Sequence, residues 1–211
     1  MSDTKQRLLD GAMDTLRRQG IAGVSARNIA AAAGVNQALI FYHYGSVDDL
    51  LVRACMAATA DRVDAYRQRF AAVGSLRELL DVGRALHEEE RELGNVAVLA
   101  QMLAGAQHDE KLARVTADAL AQWTGEIETV LRRVLAGSPF AEMADVPGLA
   151  RAVSVSFVGL ELYEGVDRDG ARRAMDALEQ LGLLLEIVEE LGPVARRALR
   201  SKINKAAARR P

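Results

Sequence analysis

Apolar residues recur three and four positions apart along almost the whole chain, the spacing that lays one apolar stripe along an α-helix. Leu8, Leu9, Ala12, Met13 and Leu16 make the first stripe, in a helix predicted from Thr4 to Gln19 and stopped by Gly20. Ile29, Ala30 and Ala33 mark a second, short helix begun at Ser25, an N-cap residue, and ended at Gly34, where a left-handed C′ residue costs least. Asn36 is placed to cap a third helix just past that turn. Val47 or Asp48 opens a long helix to about Val73, with Leu50, Leu51, Ala54, Ala57, Ala58, Val63, Tyr66 and Phe70 on its stripe. Gly74-Ser75 and Gly94-Asn95 frame a helix from Leu76 to about Leu93, and an apolar helix follows from Val96 to Ala106. Amphipathic segments then run over Asp109–Ala136, Gly148–Val166 and Ala171–Leu191, separated by Gly137-Ser138-Pro139 and by the turn Asp167-Arg168-Asp169-Gly170. A last basic helix begins at Val194. The pattern predicts an all-α chain of nine or ten helices with no strand and no internal repeat.

Composition sharpens that picture in two places. Half of the residues are hydrophobic but few are aromatic, so the core has to be built from Ala, Leu, Val, Ile and Met. The single Cys55 excludes an internal disulfide and fits a reducing cytoplasm, the expected location. The uncharged run from Leu93 to His108 is too short for a bilayer, and no signal-peptide layout opens the chain. The net charge of −2 conceals an asymmetry. Residues 1–50 balance five Lys/Arg against five Asp/Glu, residues 51–195 carry fifteen against twenty-four, and residues 196–211 carry seven against none. An acidic middle repels a polyanion, so DNA would have to be met by one end only.

Two short helices joined by a three-residue turn containing Gly form a helix-turn-helix, whose second helix enters the major groove of DNA. The residues that make it, Ile29-Ala30, Ala33-Gly34-Val35, Phe41-Tyr42-His43-Tyr44 and Asp48-Asp49-Leu50-Leu51, resemble the signature of the TetR family of bacterial transcriptional regulators. Ile21-Ala22-Gly23-Val24-Ser25 fits the same pattern, and the resemblance covers roughly the first fifty residues. It implies a helix-turn-helix head over residues 1–46 and a helical effector-binding and dimerisation body over 47–211. The chain departs from the family at two positions. Phe41 stands where Tyr is common and loses a hydroxyl, and Val47 stands where Lys is common and loses a phosphate contact.

Catalytic chemistry finds little support. His87-Glu88-Glu89-Glu90-Arg91 is similar to a zinc-protease helix, but Arg91 occupies the second histidine position, so the ligand pair is missing. No phosphate loop, nucleophile elbow or Cys pair occurs, and no cofactor or metal is implied. An enzyme or binding protein that has kept a TetR-like head is the rival reading, and a regulator without a ligand is a third.

On the third helix Gln37 can make a paired bond to adenine N6 and N7, while Ala38 and Leu39 offer apolar contact to thymine methyls. Asn36 sits at its start. Ser25 and Arg27 lie at the N-terminus of the preceding helix, where phosphates are held. Lys5 and Arg7 are the first helix's candidates for a phosphate contact, whereas Ile40, Phe41 and Tyr44 are expected in the core. The resemblance implies that Tyr42 and His43 touch the sugar–phosphate backbone, and that a homodimer presents two heads to a palindromic operator. It also implies that the last two long helices make the dimer surface, for which Val153, Phe157, Leu160, Leu181, Leu184, Leu185 and Val188 supply an apolar stripe. A small hydrophobic effector would lie in the body, and Tyr66, His87, Gln101, Met102, Trp123, Phe157, Glu161 and Tyr163 are its candidate walls. The expected action is repression, relieved when the effector tilts the helix that begins at Val47.

Overall fold

The computed structural model describes residues 3–136, 138, 144–189, 192, 194, 195, 197, 198 and 201, with the side chains of 179, 181 and 183–189 left out. Among the described residues it is all-α: α1 (Asp3–Gln19), a 3₁₀ turn (Ile21–Gly23), α2 (Ala26–Ala33), α3 (Ala38–Tyr44), α4 (Val47–Ala72), α5 (Leu76–Glu92), α6 (Asn95–Ala106), α7 (Glu110–Leu135), α8 (Val146–Glu164) and α9 (Arg168–Glu189). Helix ends follow the caps. Asp145 accepts the Gly148 N–H at 3.1 Å with Pro147 in the first turn, so α8 opens two residues before the expected Gly148. Asp167 accepts the Gly170 N–H at 2.8 Å, which draws the expected four-residue turn into the first turn of α9. The basic run beginning at Arg196 lies outside the described residues apart from Arg197, Ala198 and Ser201.

The chain forms two compact units, each drawing on more than one stretch of the sequence. The first comprises Met1–Tyr66 with His87–Trp123, the second Arg67–Leu86 with Thr124–Pro211. The reason is burial. Three short helices bound too little volume to close a core of their own. In the first unit Leu8, Leu9, Leu16, Ile29 and Ile40 share one buried cluster with Leu50, Leu51, Ala54 and Cys55 of α4, Val98 and Met102 of α6, and Val115 of α7. Polar bonds reinforce it: the Ile21 N–H donates to Gln101 Oε1 at 2.7 Å, and Arg17 Nε donates to Asn95 Oδ1 at 3.1 Å.

Within the first unit α1 and α2 cross at very short range. A Cβ placed on Gly11 would lie 2.9 Å from both the Cβ and the backbone N of Ala33. The small residue at Ala33 therefore admits α1. In the second unit α8 packs against α9, and Arg133 of α7 closes the end of α4 by donating to the Phe70 carbonyl at 2.7 Å and the Val73 carbonyl at 2.9 Å.

Candidate nucleic-acid interface

The turn between α2 and α3 is built by local rules. Ser25, in extended backbone, accepts the Asn28 N–H at 3.2 Å and so caps α2. Gly34 has φ 62° and ψ 39°, the left-handed conformation that a side chain would strain. The Val35 N–H bonds to the Ala30 carbonyl at 3.0 Å and the Gly34 N–H to the Ala31 carbonyl at 3.2 Å, the two bonds of a Schellman close. Val35 then packs on the core, and Asn36 Oδ1 accepts the Ala38 N–H at 2.9 Å. The Asn36 side chain thus starts α3 and has an acceptor already in use.

Seven residues make α3, and Ile40 is its anchor, fully buried. Gln37 and Ala38 stand exposed on its first turn, and Tyr42 beyond them is 80% exposed. One expectation is corrected around that anchor, that of Phe41. Leu39 is half-buried and packs on the core. Phe41, expected inside, is 52% exposed. Tyr44 is only half-buried: its hydroxyl donates to the Lys5 carbonyl at 3.0 Å, tying α3 to α1, and burial of the ring raises its pKa, against the pull of Arg53. Phe41 follows Gln37 by four residues and Ala38 by three, and residues so spaced share a face.

The cations divide in the same way. Arg27 is exposed at the start of α2 with no ion-pair partner among the described residues. Arg7 has another duty, since its Nη2 donates to the Gly34 carbonyl at 2.8 Å and satisfies the end of α2. This leaves Lys5, exposed on α1, as the freer of the two. His43 is half-buried, with Tyr42 edge-on to it at 4.8 Å between ring centres. At the start of α4, Ser46 accepts the Asp49 N–H at 3.0 Å and donates to its carboxylate at 2.7 Å. Lys111 Nζ reaches the other Asp49 oxygen at 2.8 Å, and that bond, with the Ser46 bond, holds the carboxyl below its ordinary pKa.

These caps, this turn and this exposed face make a helix-turn-helix with a groove-sized helix outward. Residues 8–54 match the family model described as bacterial regulatory proteins, tetR family. The chain's head is a TetR-family head. An uncharacterised HTH-type transcriptional regulator of Mycobacterium tuberculosis is 24% identical over 164 residues, spanning 78% of this chain and 84% of that protein. The fold of a putative TetR-family transcriptional regulator from Rhodococcus sp. superposes with a TM-score of 0.71 at 22% identity, over 86% of this chain and all of that one. A putative transcriptional regulator from Saccharomonospora viridis, solved in complex with choline, gives 0.69 at 21% identity, over 85% and 97%. With that head the chain is a DNA-binding transcriptional regulator rather than an enzyme. No helix among the described residues is long and apolar enough to cross a membrane.

The candidate effector walls divide between the two units. In the first, Tyr66 is buried with its ring edge-on to Trp123, centres 6.0 Å apart, and the Arg62 guanidinium lies 5.4 Å over its face. Partial burial would lower the Arg62 pKa, but its bonds to Glu90 and Glu89 raise it instead. His87 is half-buried. The Gln101 carboxamide holds the Ile21 N–H, and the Met102 thioether is buried in the cluster that closes the head. In the second unit Phe157 is half-buried, 3.8 Å from where a Cβ on Gly83 of α5 would stand, and Glu161 is buried at 5% exposure. Tyr163 is exposed, its hydroxyl 3.4 Å from Asp167 Oδ2, and is corrected from wall to surface.

The residues of the expected dimer stripe lie on α8 and α9. Val153, Phe157 and Leu160 are half-buried on one side of α8. The exposed side carries Arg151 together with Ala152, Val155, Ser156, Gly159, Leu162 and Tyr163, continued by Val166 just past the helix end. Val155 and Val166 are 70% and 88% exposed. The side chains of Leu181, Leu184, Leu185 and Val188 lie outside the described residues.

Proposed function

We propose that this TetR-family regulator is a repressor that binds a palindromic operator as a homodimer and leaves it when a small hydrophobic molecule enters the body. The observation that carries the DNA half is the outward face of α3. Gln37 and Ala38 stand free on its first turn, with Arg27 free at the start of α2. Gln37 reads adenine through its carboxamide, Ala38 touches the adjoining base, and Ser25, Arg27, Tyr42 and His43 hold the backbone. Asn36 contributes by starting the helix.

The exposed apolar residues of α8 support the homodimer, because a second copy would bury Val155, Leu162 and Val166 against themselves about a two-fold axis, with Arg151 at the edge of that patch. A two-fold dimer sets two α3 helices against successive major grooves, about 34–36 Å apart, and a small change in that spacing spoils binding. The buried Tyr66 ring, paired with the half-buried Trp123 and with Arg62 over its face, supports an effector site in the first unit with apolar walls and few polar groups. The choline complex of the Saccharomonospora protein makes organic cations the first class to try. The test combines gel retardation of the chain's own upstream DNA with a thermal-shift screen. Sequence-selective retardation reversed by a compound that raises the melting temperature is expected. Duplex binding without selectivity, or hits that leave the complex intact, would refute the respective halves.

A further inference from the structure

Phe41 is a large apolar ring left half in solvent on the same face as Gln37, Ala38 and Tyr42. At 3.6 residues per turn it stands one turn beyond Gln37 and Ala38, in the middle of the surface that would lie deepest in a major groove. Folding does not account for its placement. Ile40 closes the core beneath α3, Leu39 and Tyr44 pack to its sides, and Phe41 is absent from that cluster. The ring contacts of this segment pair Tyr42 with His43 and His43 with Tyr44. A phenyl ring has no donor or acceptor, so it cannot hold a phosphate oxygen or pair with a polar base edge. The one apolar group on the major-groove edge of a base pair is the C5 methyl of thymine.

We infer that Phe41, flanked by Ala38, reads the 5-methyl group of one thymine in each half-site and is a specificity-determining residue of this chain. The inference rests on the DNA-binding reading above and adds a base to it. The lost hydroxyl then has a consequence of its own: a side chain able to bond to the backbone is replaced by one that can only select an apolar group. Gln37 and Phe41 would read different base pairs, one by hydrogen bonding and one by methyl contact.

The test begins with duplexes that the full-length protein selects from a randomised library. Each thymine of the selected site is then replaced by deoxyuridine, which lacks only the methyl. One thymine per half-site should weaken binding about fourfold when replaced, the factor for about 0.8 kcal/mol lost with one buried methyl. Replacing it in both half-sites should give roughly sixteenfold, since distant sites add. Phe41→Ala should bind the selected duplex at least that much more weakly and become indifferent to the uridine, while Phe41→Leu keeps a response. Both variants should melt with the parent, because the ring is outside the core. Full-strength binding to every uridine duplex, selected sites without thymine, or a Phe41→Ala protein that still senses the methyl would overturn the assignment while leaving the DNA-binding reading standing. Failure to select any sequence would overturn both.

Discussion

Gly11 is where the head has least room, and Gly11→Ala is a perturbation whose sign separates two physical effects. The added Cβ would stand 2.9 Å from Ala33 N, 2.9 Å from Ala33 Cβ and 3.1 Å from Ala33 Cα, where ordinary contact begins at 3.4 Å. Two of the three are backbone atoms of α2, so no side chain can swing aside. The helices must part, loosening Ala12 and Leu16 from Ile29 and Ala30. Overpacking of this kind costs about 1–3 kcal/mol. Against it stands the helix propensity of Ala over Gly, worth about 1 kcal/mol in a helix interior. The balance is a net loss of about 1 kcal/mol, which for a chain of this length lowers the melting temperature by about 2–4 °C. Thermal unfolding followed by circular dichroism reads it directly. Adding Ala33→Gly should recover part of the loss by clearing one of the short contacts while leaving the two backbone ones. A Gly11→Ala protein that melts higher than the parent would refute the reasoning, since only propensity would then be acting.

The remaining expectations are shorter to state. Gln37→Ala should cost about 1–3 kcal/mol of operator binding and relax preference at one base pair per half-site, whereas Arg27→Ala should weaken all sequences alike and lower the salt slope by about 0.9, both read from binding across a salt series. Val155→Glu on the exposed side of α8 should shift sedimentation from dimer to monomer without lowering the melting temperature of the monomer, and an unchanged dimer would remove α8 from the interface. Burial pushes the Cys55 thiol up to about 11, so the group favours folding below its ordinary value of 9.0 and that contribution disappears as pH rises through about 11. At neutral pH its alkylation should therefore follow opening of the head core, and prompt labelling of the folded protein would contradict the burial.

Much of the head was legible because its rules are local. Ser25, Gly34 and Asn36 act within a few residues of themselves: a side-chain oxygen meets an N–H two or three residues on, and a glycine takes the one conformation its neighbours cannot. The periodicity of α1 was readable for the same reason, since it spans more than four turns. On α3 the same method fails. Ala-Leu-Ile-Phe-Tyr-His-Tyr is apolar or aromatic on every side, and two turns show no stripe, so nothing in the string says whether Leu39 or Phe41 faces inward.

By itself, then, the sequence determined the helices, their caps, the turn and the outward placing of Gln37, because hydrogen bonds between near neighbours and a long 3.6-residue period depend on nothing remote. Only the tertiary structure decided which side of a short or uniformly apolar helix is buried, as at Phe41 on α3 and Val155 on α8. It alone assigned Arg7 to the Gly34 carbonyl, Gln101 to the Ile21 N–H and Gly11 to the Ala33 backbone, pairs separated by twenty or more residues. Burial and charge pairing are properties of what another segment brings up against a side chain, and that partner is chosen by the packing of the whole unit rather than by the residues on either side.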